Sequence, residues 1–208
     1  MKRIFLLIAF AVSLISTAFA QGDAKAVLDR VTNKLKGNKG ISANFVLTTK
    51  DKKNVSRGSK SGQILVKGQK YYLKQGNVEI FSDGSKNWNY NTADKEVTVT
   101  DADDNNSGFT PAKFLGNFYD KDFTYSLVSS AGSSYQISLI PTDKRKNYKQ
   151  VTVFVDKAKD VVTKAQVLDK GDNTIDFTLS NVNLSAAIPD TKFMFDAKAH
   201  PGVEVIEQ

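Results

Sequence analysis

The residues that could do chemistry in this chain are few and scattered. The single histidine, His200, stands next to Pro201 near the C-terminus. Nucleophilic catalysis of the Ser–His kind needs a base that a third group holds in place, and no sequence neighbour of His200 offers one. The chain has no cysteine, which excludes disulfides, thiolate metal sites and a cysteine nucleophile. The composition therefore predicts a protein that is not an enzyme.

One acidic loop has some of the spacing of a cation site. Asp101, Asp103 and Asn105 begin like a calcium-binding loop. However, Asn106 replaces the glycine that such a loop needs, and Ala112 stands where the bidentate glutamate belongs. A glycosidase would need only two carboxylates, and no motif points to that class. We expect a solvated loop, no metal and no cofactor.

The first twenty residues have the pattern of a secretory signal. Met1-Lys2-Arg3 is a basic start, an apolar run extends from Ile4 to Ile15, and Ala18-Phe19-Ala20 has the form of a cleavage sequence. A membrane anchor helix is the alternative, but polar residues interrupt the run. We expect cleavage after Ala20, which leaves residues 21–208 as a single soluble domain. A bacterial lipid anchor would need a cysteine where Gln21 stands.

The chain is basic, with a formal net charge of +7. Because export separates the protein from nucleic acid, we expect no nucleic-acid partner. A basic turn at Lys144-Arg145-Lys146, with Lys149 close by, has two interpretations. It is either a docking patch for a membrane surface or partner, or a charged hairpin tip that resists aggregation.

The elements that must position any site are mostly strands. The stretch from Val78 to Val99 predicts three short strands, with turns at Asp83-Gly84 and at residues 91–94. Because strand side chains alternate between two faces, we expect one wall of large apolar groups on this meander. The wall consists of Val78, Ile80, Trp88, Tyr90, Val97 and Val99.

A helix precedes the strands, and a second, shorter helix interrupts them. Apolar residues recur at three- and four-residue spacing between Asp23 and Lys36, which predicts an amphipathic helix. Thr110-Pro111 predicts another helix start, and Phe114, Leu115 and Phe118 would give that helix a broad apolar face. The remaining strands predict one antiparallel sheet of about eleven strands that curls. Several predicted strands, such as Val161–Leu168 and Phe193-Met194-Phe195, are apolar on both faces, which fits either a filled barrel or a curved sheet with a helix and a cavity inside.

Short motifs spread along the chain resemble one known family. ISANF follows the first helix at residues 41–45, and GQILVK occupies residues 62–67. Ser82-Asp83-Gly84 precedes Trp88-x-Tyr90 and Asn91, and Phe193-Met194-Phe195 precedes PGVEV at residues 201–205. Together and in this order, they resemble the periplasmic outer-membrane lipoprotein carriers of the LolA type.

The resemblance implies a fold and a function. The fold is mainly β, an unclosed antiparallel barrel with a helical lid. Its hydrophobic cavity carries the acyl chains of lipoproteins through the periplasm, from an inner-membrane ABC-type exporter to an outer-membrane acceptor or to the outer membrane itself. We expect a monomer in which the first helix and Phe114, Leu115 and Phe118 form the lid. The residues implied to line or support the cavity are Phe45, Leu65, Val78, Ile80, Trp88 and Tyr90.

One position departs from the family pattern. Many members carry an arginine followed by a proline just after the strand equivalent to Ile64–Lys67, and that arginine holds the lid shut. Gly68 and Gln69 stand at those places here. An arginine-locked lid is therefore not expected in this chain.

Three other functions compete with a carrier. A periplasmic lipid-sensing or regulatory half-barrel shares the fold, but such sensors usually carry an additional domain. The lipid-anchored acceptor of the same pathway would need the missing cysteine. A secreted hydrolase would need a carboxylate pair that no motif marks.

Overall fold

The computed structural model describes residues 23–36, 39–102 and 122–208. Helix α1 occupies residues 23–36, as its apolar spacing predicts. Twelve strands and two short 3₁₀ helices, at Asp190–Phe193 and Ala197–Ala199, follow it. The strands are β1 (Ile41–Lys50), β2 (Ser56–Lys67), β3 (Lys70–Gln75), β4 (Val78–Ser82), β5 (Lys86–Asn91), β6 (Glu96–Asp101), β7 (Phe123–Ser129), β8 (Ser134–Pro141), β9 (Tyr148–Asp156), β10 (Val161–Asp169), β11 (Thr174–Asn183) and β12 (Glu204–Glu207).

All twelve strands belong to one sheet. Their order is β12-β6-β5-β4-β3-β2-β1-β11-β10-β9-β8-β7, so β12 and β7 are the two edges. Neighbouring strands pair antiparallel except β12, which lies parallel to β6. The fold is therefore mainly β, an unclosed antiparallel barrel with one α-helix among the residues described, and this confirms the predicted fold class.

One face of the sheet packs against α1, and we call it the helix face. Ala24, Val27, Leu28 and Val31 of α1 form a single apolar cluster with buried residues of seven strands, β1 to β3 and β8 to β11. Arg30 fixes the position of the helix, because its guanidinium donates to Asp160 at 3.2 Å and lies over the ring of Tyr135. The main core of the protein therefore lies between α1 and the sheet.

The other face packs against a C-terminal segment, residues 184–203, which we call the C-terminal strap. After β11 the strap passes beside Gly40, where Ala186 donates its backbone N–H to the Gly40 carbonyl at 3.0 Å. Ile188 and Phe193 then pack with Tyr72, Phe81, Tyr90 and Val97 of β3 to β6. The chain then forms β12, which pairs with the edge of β6. The strap therefore covers the half of this face formed by β3 to β6, and we call this side of the sheet the strap face.

One sequence prediction about this region is wrong, and one strand was missed. Phe193-Met194-Phe195 is not a strand, because a 3₁₀ helix ends at Phe193 and Met194 is extended without a partner strand. The strand Glu204–Glu207 was not anticipated, because its parallel pairing with β6 depends on the long crossover through the strap. The predicted signal segment and the predicted helix at residues 109–119 lie outside the described residues.

Candidate functional site

A row of half-buried apolar side chains lies at one end of the helix face. This end carries the turns β1–β2, β3–β4, β5–β6, β8–β9 and β10–β11, and we call it the exposed end. Towards the opposite end the helix-face residues of the same sheet are buried, as in Ile41, Val66 and Leu179. At the exposed end they pack only partly against the core. The row consists of Ile80 and Leu73 on β4 and β3, and of Leu47, Phe177 and Val167 on β1, β11 and β10; Gly62 of β2 lies between the two groups.

Phe45 forms the floor of this row. Its ring is 1% exposed and stacks on Phe177, with 5.2 Å between ring centroids and 21° between ring planes. The ring lies across β2 at Gly62, the residue directly opposite Phe45 in the β1–β2 ladder. A Cβ atom at position 62 would lie 2.7 Å from Cζ of Phe45 and 2.0 Å from the carbonyl oxygen of Lys74. Glycine is therefore the residue that permits this aromatic floor.

The six residues predicted to line or support a cavity do not share one face. Residues directly opposite each other in an antiparallel ladder point to the same face. Trp88 pairs with Phe81, whereas Ile80 pairs with Asn89, so Trp88 and Ile80 point to opposite faces. The register places Phe45, Val78 and Ile80 on the helix face and Leu65, Trp88 and Tyr90 on the strap face.

The single predicted apolar wall is therefore wrong in part. Trp88, Tyr90, Val97 and Val99 do share the strap face, because Trp88 pairs with Val99 and Tyr90 pairs with Val97. Phe81 completes this group in place of Val78 and Ile80. The strap already covers these side chains, whereas the helix face at the exposed end keeps an apolar surface open.

The strap face holds an aromatic cluster that includes the only histidine. The Phe195 ring lies 5.7 Å from Phe81 and 5.1 Å from Tyr90, and it stacks on His200 at 4.8 Å with an interplanar angle of 10°. His200 also lies 4.8 Å from Tyr90. These contacts give His200 a packing role at the strap.

Polar contacts join β3 to β4 beneath the strap. The Tyr72 hydroxyl donates to Glu79 at 3.0 Å, and the Lys74 ammonium pairs with Glu79 at 2.6 Å. Burial raises the pKa of Glu79, but the Lys74 and Tyr72 hydrogen bonds outweigh it, so the pKa lies below its usual value. Burial, with a contribution from Glu79, raises the pKa of Tyr72. The Lys192 ammonium of the strap lies 4.3 Å from the centre of the Tyr72 ring.

The position where the family arginine is missing lies at the opposite end from the exposed row. Gly68 has a positive φ of 62° in the β2–β3 turn, which favours glycine over any other residue. The lysines on either side of this turn bind the strap: Lys67 and Lys70 reach Asp190 at 2.7 and 3.1 Å. These two ion pairs hold the C-terminal strap against the β2–β3 turn.

The described residues offer nothing that resembles a metal centre or a membrane span. They contain no group of three or more histidine, aspartate or glutamate side chains that could hold a metal ion. No helix in residues 23–36, 39–102 or 122–208 is long and apolar enough to cross a membrane. The predicted lid residues Phe114, Leu115 and Phe118, and two of the three calcium-loop residues, lie outside these ranges.

Sequence reasoning missed the residues that form most of the row. Phe177 lies between two polar residues, and Leu47 and Leu73 are each followed by one, so their strands were recognisable. Their common position became visible only through the pairing of Leu73 with Ile80 and of Leu47 with Phe177. A reliable prediction of strand register would have found them.

Residues 36–196 match the family model described as outer membrane lipoprotein carrier protein LolA. No protein with a curated description is similar enough in sequence to count as a match.

Solved structures with a similar fold differ strongly in sequence. An uncharacterized conserved protein from Thermus thermophilus has a TM-score of 0.60 at 9% identity, with 89% of this chain and 99% of that chain covered. MucB has a TM-score of 0.52 at 14% identity, with coverage of 85% and 64%. A LolA superfamily protein from Nitrosomonas europaea has a TM-score of 0.47 at 14% identity, with coverage of 84% and 98%. At these identities the first two likenesses show the fold alone.

Proposed function

Because this chain belongs to the LolA family of outer membrane lipoprotein carrier proteins, we propose that it binds the acyl chains of lipoproteins at the exposed end of its helix face and carries them across the periplasm. Proteins of this family are periplasmic, and they bind or carry lipids and lipoproteins rather than catalyse reactions. The proposed source of the cargo is an inner-membrane ABC-type exporter. Its proposed destination is an outer-membrane acceptor or the outer membrane itself.

The observation that carries this proposal is the half-buried apolar row. A sheet face that served only as core would be covered to its end, as it is around Ile41 and Leu179. Here Leu47, Leu73 and Phe177 remain partly accessible beside the buried Phe45. An apolar surface of this kind, continuous with a packed core, suits a flexible hydrocarbon chain.

The energetics of the cargo explain why such a surface is needed. Each CH₂ group of an acyl chain that leaves water contributes about 0.8 kcal/mol, so a free acylated protein crosses water too slowly. A partly covered row shields some of the chain without enclosing it, which leaves release possible. Phe114, Leu115 and Phe118 remain our prediction for the residues that complete the cover.

The chain offers a matched pair of variants to test the site. Leu47 lies in the row on the helix face, and its neighbour Val46 is 42% exposed on the opposite face. Leu47→Glu places a charge in the path of the acyl chain, whereas Val46→Glu places the same charge outside it. Titration with a fluorescent fatty-acyl probe compares their affinities.

We expect Leu47→Glu to weaken probe binding at least tenfold, because desolvating a carboxylate costs more than about 1.4 kcal/mol. Val46→Glu should bind within twofold of wild type. Equal affinity in all three proteins, each with the circular dichroism spectrum of wild type, would place the site elsewhere. Wild-type protein that binds no acyl probe would remove the basis of the carrier proposal.

A further inference from the structure

The β1–β2 and β8–β9 turns at the exposed end carry a surplus of positive charge, whereas residues 169–173 of the β10–β11 turn contain one basic and two acidic residues. Residues 50–60, around the β1–β2 turn, contain five basic residues and one acidic residue. Residues 142–149, around the β8–β9 turn, contain four basic residues and one acidic residue. The β10–β11 turn lies between these two in the sheet, so three neighbouring hairpins form one continuous rim.

The acidic side chains in this rim are bound by internal partners. Asp51 accepts from the backbone N–H groups of Lys53 and Val55 at 2.9 and 3.0 Å, and the Arg57 guanidinium pairs with it at 2.5 Å. The Val55 and Arg57 hydrogen bonds outweigh its slight desolvation and hold the pKa of Asp51 below its usual value. The carboxylate of this hairpin therefore holds the turn together.

In the β8–β9 and β10–β11 turns, too, acidic side chains have partners within the protein. The Arg145 guanidinium pairs with Asp143 at 3.0 Å, and hydrogen bonds from Arg145 lower the pKa of the Asp143 carboxyl to about 2. Lys149 pairs with Asp172 at 2.5 Å, which ties the β8–β9 turn to the β10–β11 turn. Both arginines of the rim, Arg57 and Arg145, therefore pair with carboxylates of this protein, and so do the acidic residues Asp51, Asp143 and Asp172 with its cations.

The cations that remain are lysines. Among the described residues, Lys52, Lys53, Lys60, Lys144 and Lys146 are without a side-chain hydrogen bond or ion pair of their own. All but Lys146 are exposed, and Lys146 is half-buried. Val55, at the tip of the first hairpin, is 52% exposed and gives this tip an apolar side chain beside two lysines.

The opposite end of the sheet shows no such surplus in its turns. The β9–β10 turn contains two basic and two acidic residues within 156–160, and the β4–β5 turn contains one of each within 83–86. The β7–β8 turn, residues 129–134, has no charged residue. Lys67 and Lys70 beside the β2–β3 turn are bound to Asp190. Among the hairpin turns of the described residues, lysines without a side-chain partner are therefore more numerous around the apolar row than at the opposite end, where Lys86 and Lys159 are of this kind.

We propose that the exposed end is a docking surface for an anionic phospholipid bilayer, with the lysine rim on the lipid headgroups and the apolar row facing the membrane. This inference rests on the proposed function, because it supplies the surface at which acyl chains would enter or leave the row. Anionic headgroups attract clustered basic residues from within about one Debye length, roughly 8–10 Å at ordinary salt.

The chemistry of the rim favours a lipid surface over an acidic protein. A protein carboxylate is best held by the planar fork of arginine, and both rim arginines already hold carboxylates of their own chain. The free groups are lysine ammoniums on flexible stems, which act as point charges and suit a diffuse layer of phosphates. The exposed Val55 adds an apolar contact that a headgroup region accommodates.

Vesicle co-sedimentation of the full protein tests this proposal. The vesicles contain either phosphatidylcholine alone or phosphatidylcholine with 30% phosphatidylglycerol, a composition fixed for the experiment. We expect binding only to the anionic vesicles and its loss in 0.5 M NaCl, because added salt shortens the screening length. The variant Lys52→Gln/Lys53→Gln and the variant Lys144→Gln/Lys146→Gln should each bind about 25-fold more weakly, about fivefold for each lysine.

The control variant removes the same charge from the opposite end. Lys86→Gln/Lys159→Gln lies in the β4–β5 and β9–β10 turns, and both side chains are exposed. It should bind anionic vesicles within twofold of wild type. An equal loss in this control would overturn the proposal, because overall charge rather than the rim would then govern binding.

Three further outcomes distinguish the docking proposal from the proposed carrier function. If the rim variants bind the acyl probe as wild type does but lose the vesicles, both proposals stand. If wild type fails to bind anionic vesicles, the docking proposal is overturned even when the acyl probe binds. If the rim variants then also fail to receive cargo from a purified membrane protein, the rim serves an acidic protein partner instead.

Discussion

Gly62→Ala is a single-methyl test of how Phe45 is seated at the proposed site. The backbone of Gly62 does not have a positive φ, so alanine meets no conformational penalty there. The added Cβ would lie 2.0 Å from the Lys74 carbonyl oxygen and 2.7 Å from the Phe45 ring. Ordinary van der Waals contact for such atoms begins near 3.4 Å. The Lys74 carbonyl of β3 must therefore shift by about 1.4 Å and the Phe45 ring by about 0.7 Å.

The magnitude follows from two opposing effects. Forcing an extra methyl group into a packed core costs about 1–3 kcal/mol, and a backbone oxygen cannot rotate away as a side chain can. Replacing glycine by alanine restricts the unfolded chain and returns only about 0.4–1 kcal/mol. We expect a net loss near 2 kcal/mol, which for a protein of this size lowers the melting temperature by about 4–8 °C.

Urea unfolding followed by tryptophan fluorescence measures this change, because the chain has one tryptophan. Ser61→Ala is the matched control, since Ser61 is the preceding, exposed residue on the other face. It should stay within about 0.5 kcal/mol of wild type. A Gly62→Ala protein as stable as the control would refute the contact between Phe45 and Gly62, and with it the described floor of the row.

Two other substitutions test residues that point to the strap-face side of the sheet, Trp88 and Asp176. Trp88→Leu should leave affinity for the acyl probe within twofold of wild type, because Trp88 lies under the strap; an affinity loss equal to that of Leu47→Glu would contradict the assignment of faces. Asp176→Asn should lower the free energy of unfolding by about 1–3 kcal/mol at pH 7, because buried Asp176 pairs with Lys50 and Lys164 at 3.1 and 3.2 Å. Burial raises the pKa of Asp176, but hydrogen bonds from Gln166, Lys50 and Lys164 outweigh it, so its folded pKa is lowered. The carboxylate therefore stabilises the fold above its unfolded pKa of about 3.9, and this contribution disappears as the pH falls through the lowered value. Chemical unfolding of both proteins between pH 7 and pH 2.5 should show the difference narrowing, and a constant difference would refute the role of the charge.

The local elements of this protein could be predicted from sequence. The spacing of Ala24, Val27, Leu28 and Val31 indicated α1, and glycine at position 68 marked the β2–β3 turn. These features depend on residues that are close in the chain. Composition and motif order were also sufficient for the fold class.

The relation between strands could not be predicted in the same way. Alternation assigns a face within one strand, but the register of the next strand decides whether the two faces agree. In the β4–β5 hairpin, Phe81 rather than Ile80 lies opposite Trp88, which reversed the predicted position of Val78 and Ile80. Alternation within each strand held, but the pairing between the two strands put half of the predicted site on the other side of the sheet.

The strap was unpredictable for a related reason. Phe193 and Phe195 have the alternation of a strand, yet they pack against the sheet instead of pairing with it. A segment that crosses a sheet face takes its conformation from the side chains beneath it. Only the tertiary structure shows that Tyr72, Phe81 and Tyr90 are those side chains.

The most direct test of the central claim is the release of a lipoprotein from spheroplasts. Spheroplasts that express a triacylated lipoprotein and its exporter are incubated with the purified protein, and the supernatant is analysed by native mass spectrometry. We expect a complex of the wild-type protein with one acylated lipoprotein. Val46→Glu should form the same complex, and Leu47→Glu should not. Lipoprotein that stays in the spheroplast membrane in the presence of wild-type protein would contradict the carrier function.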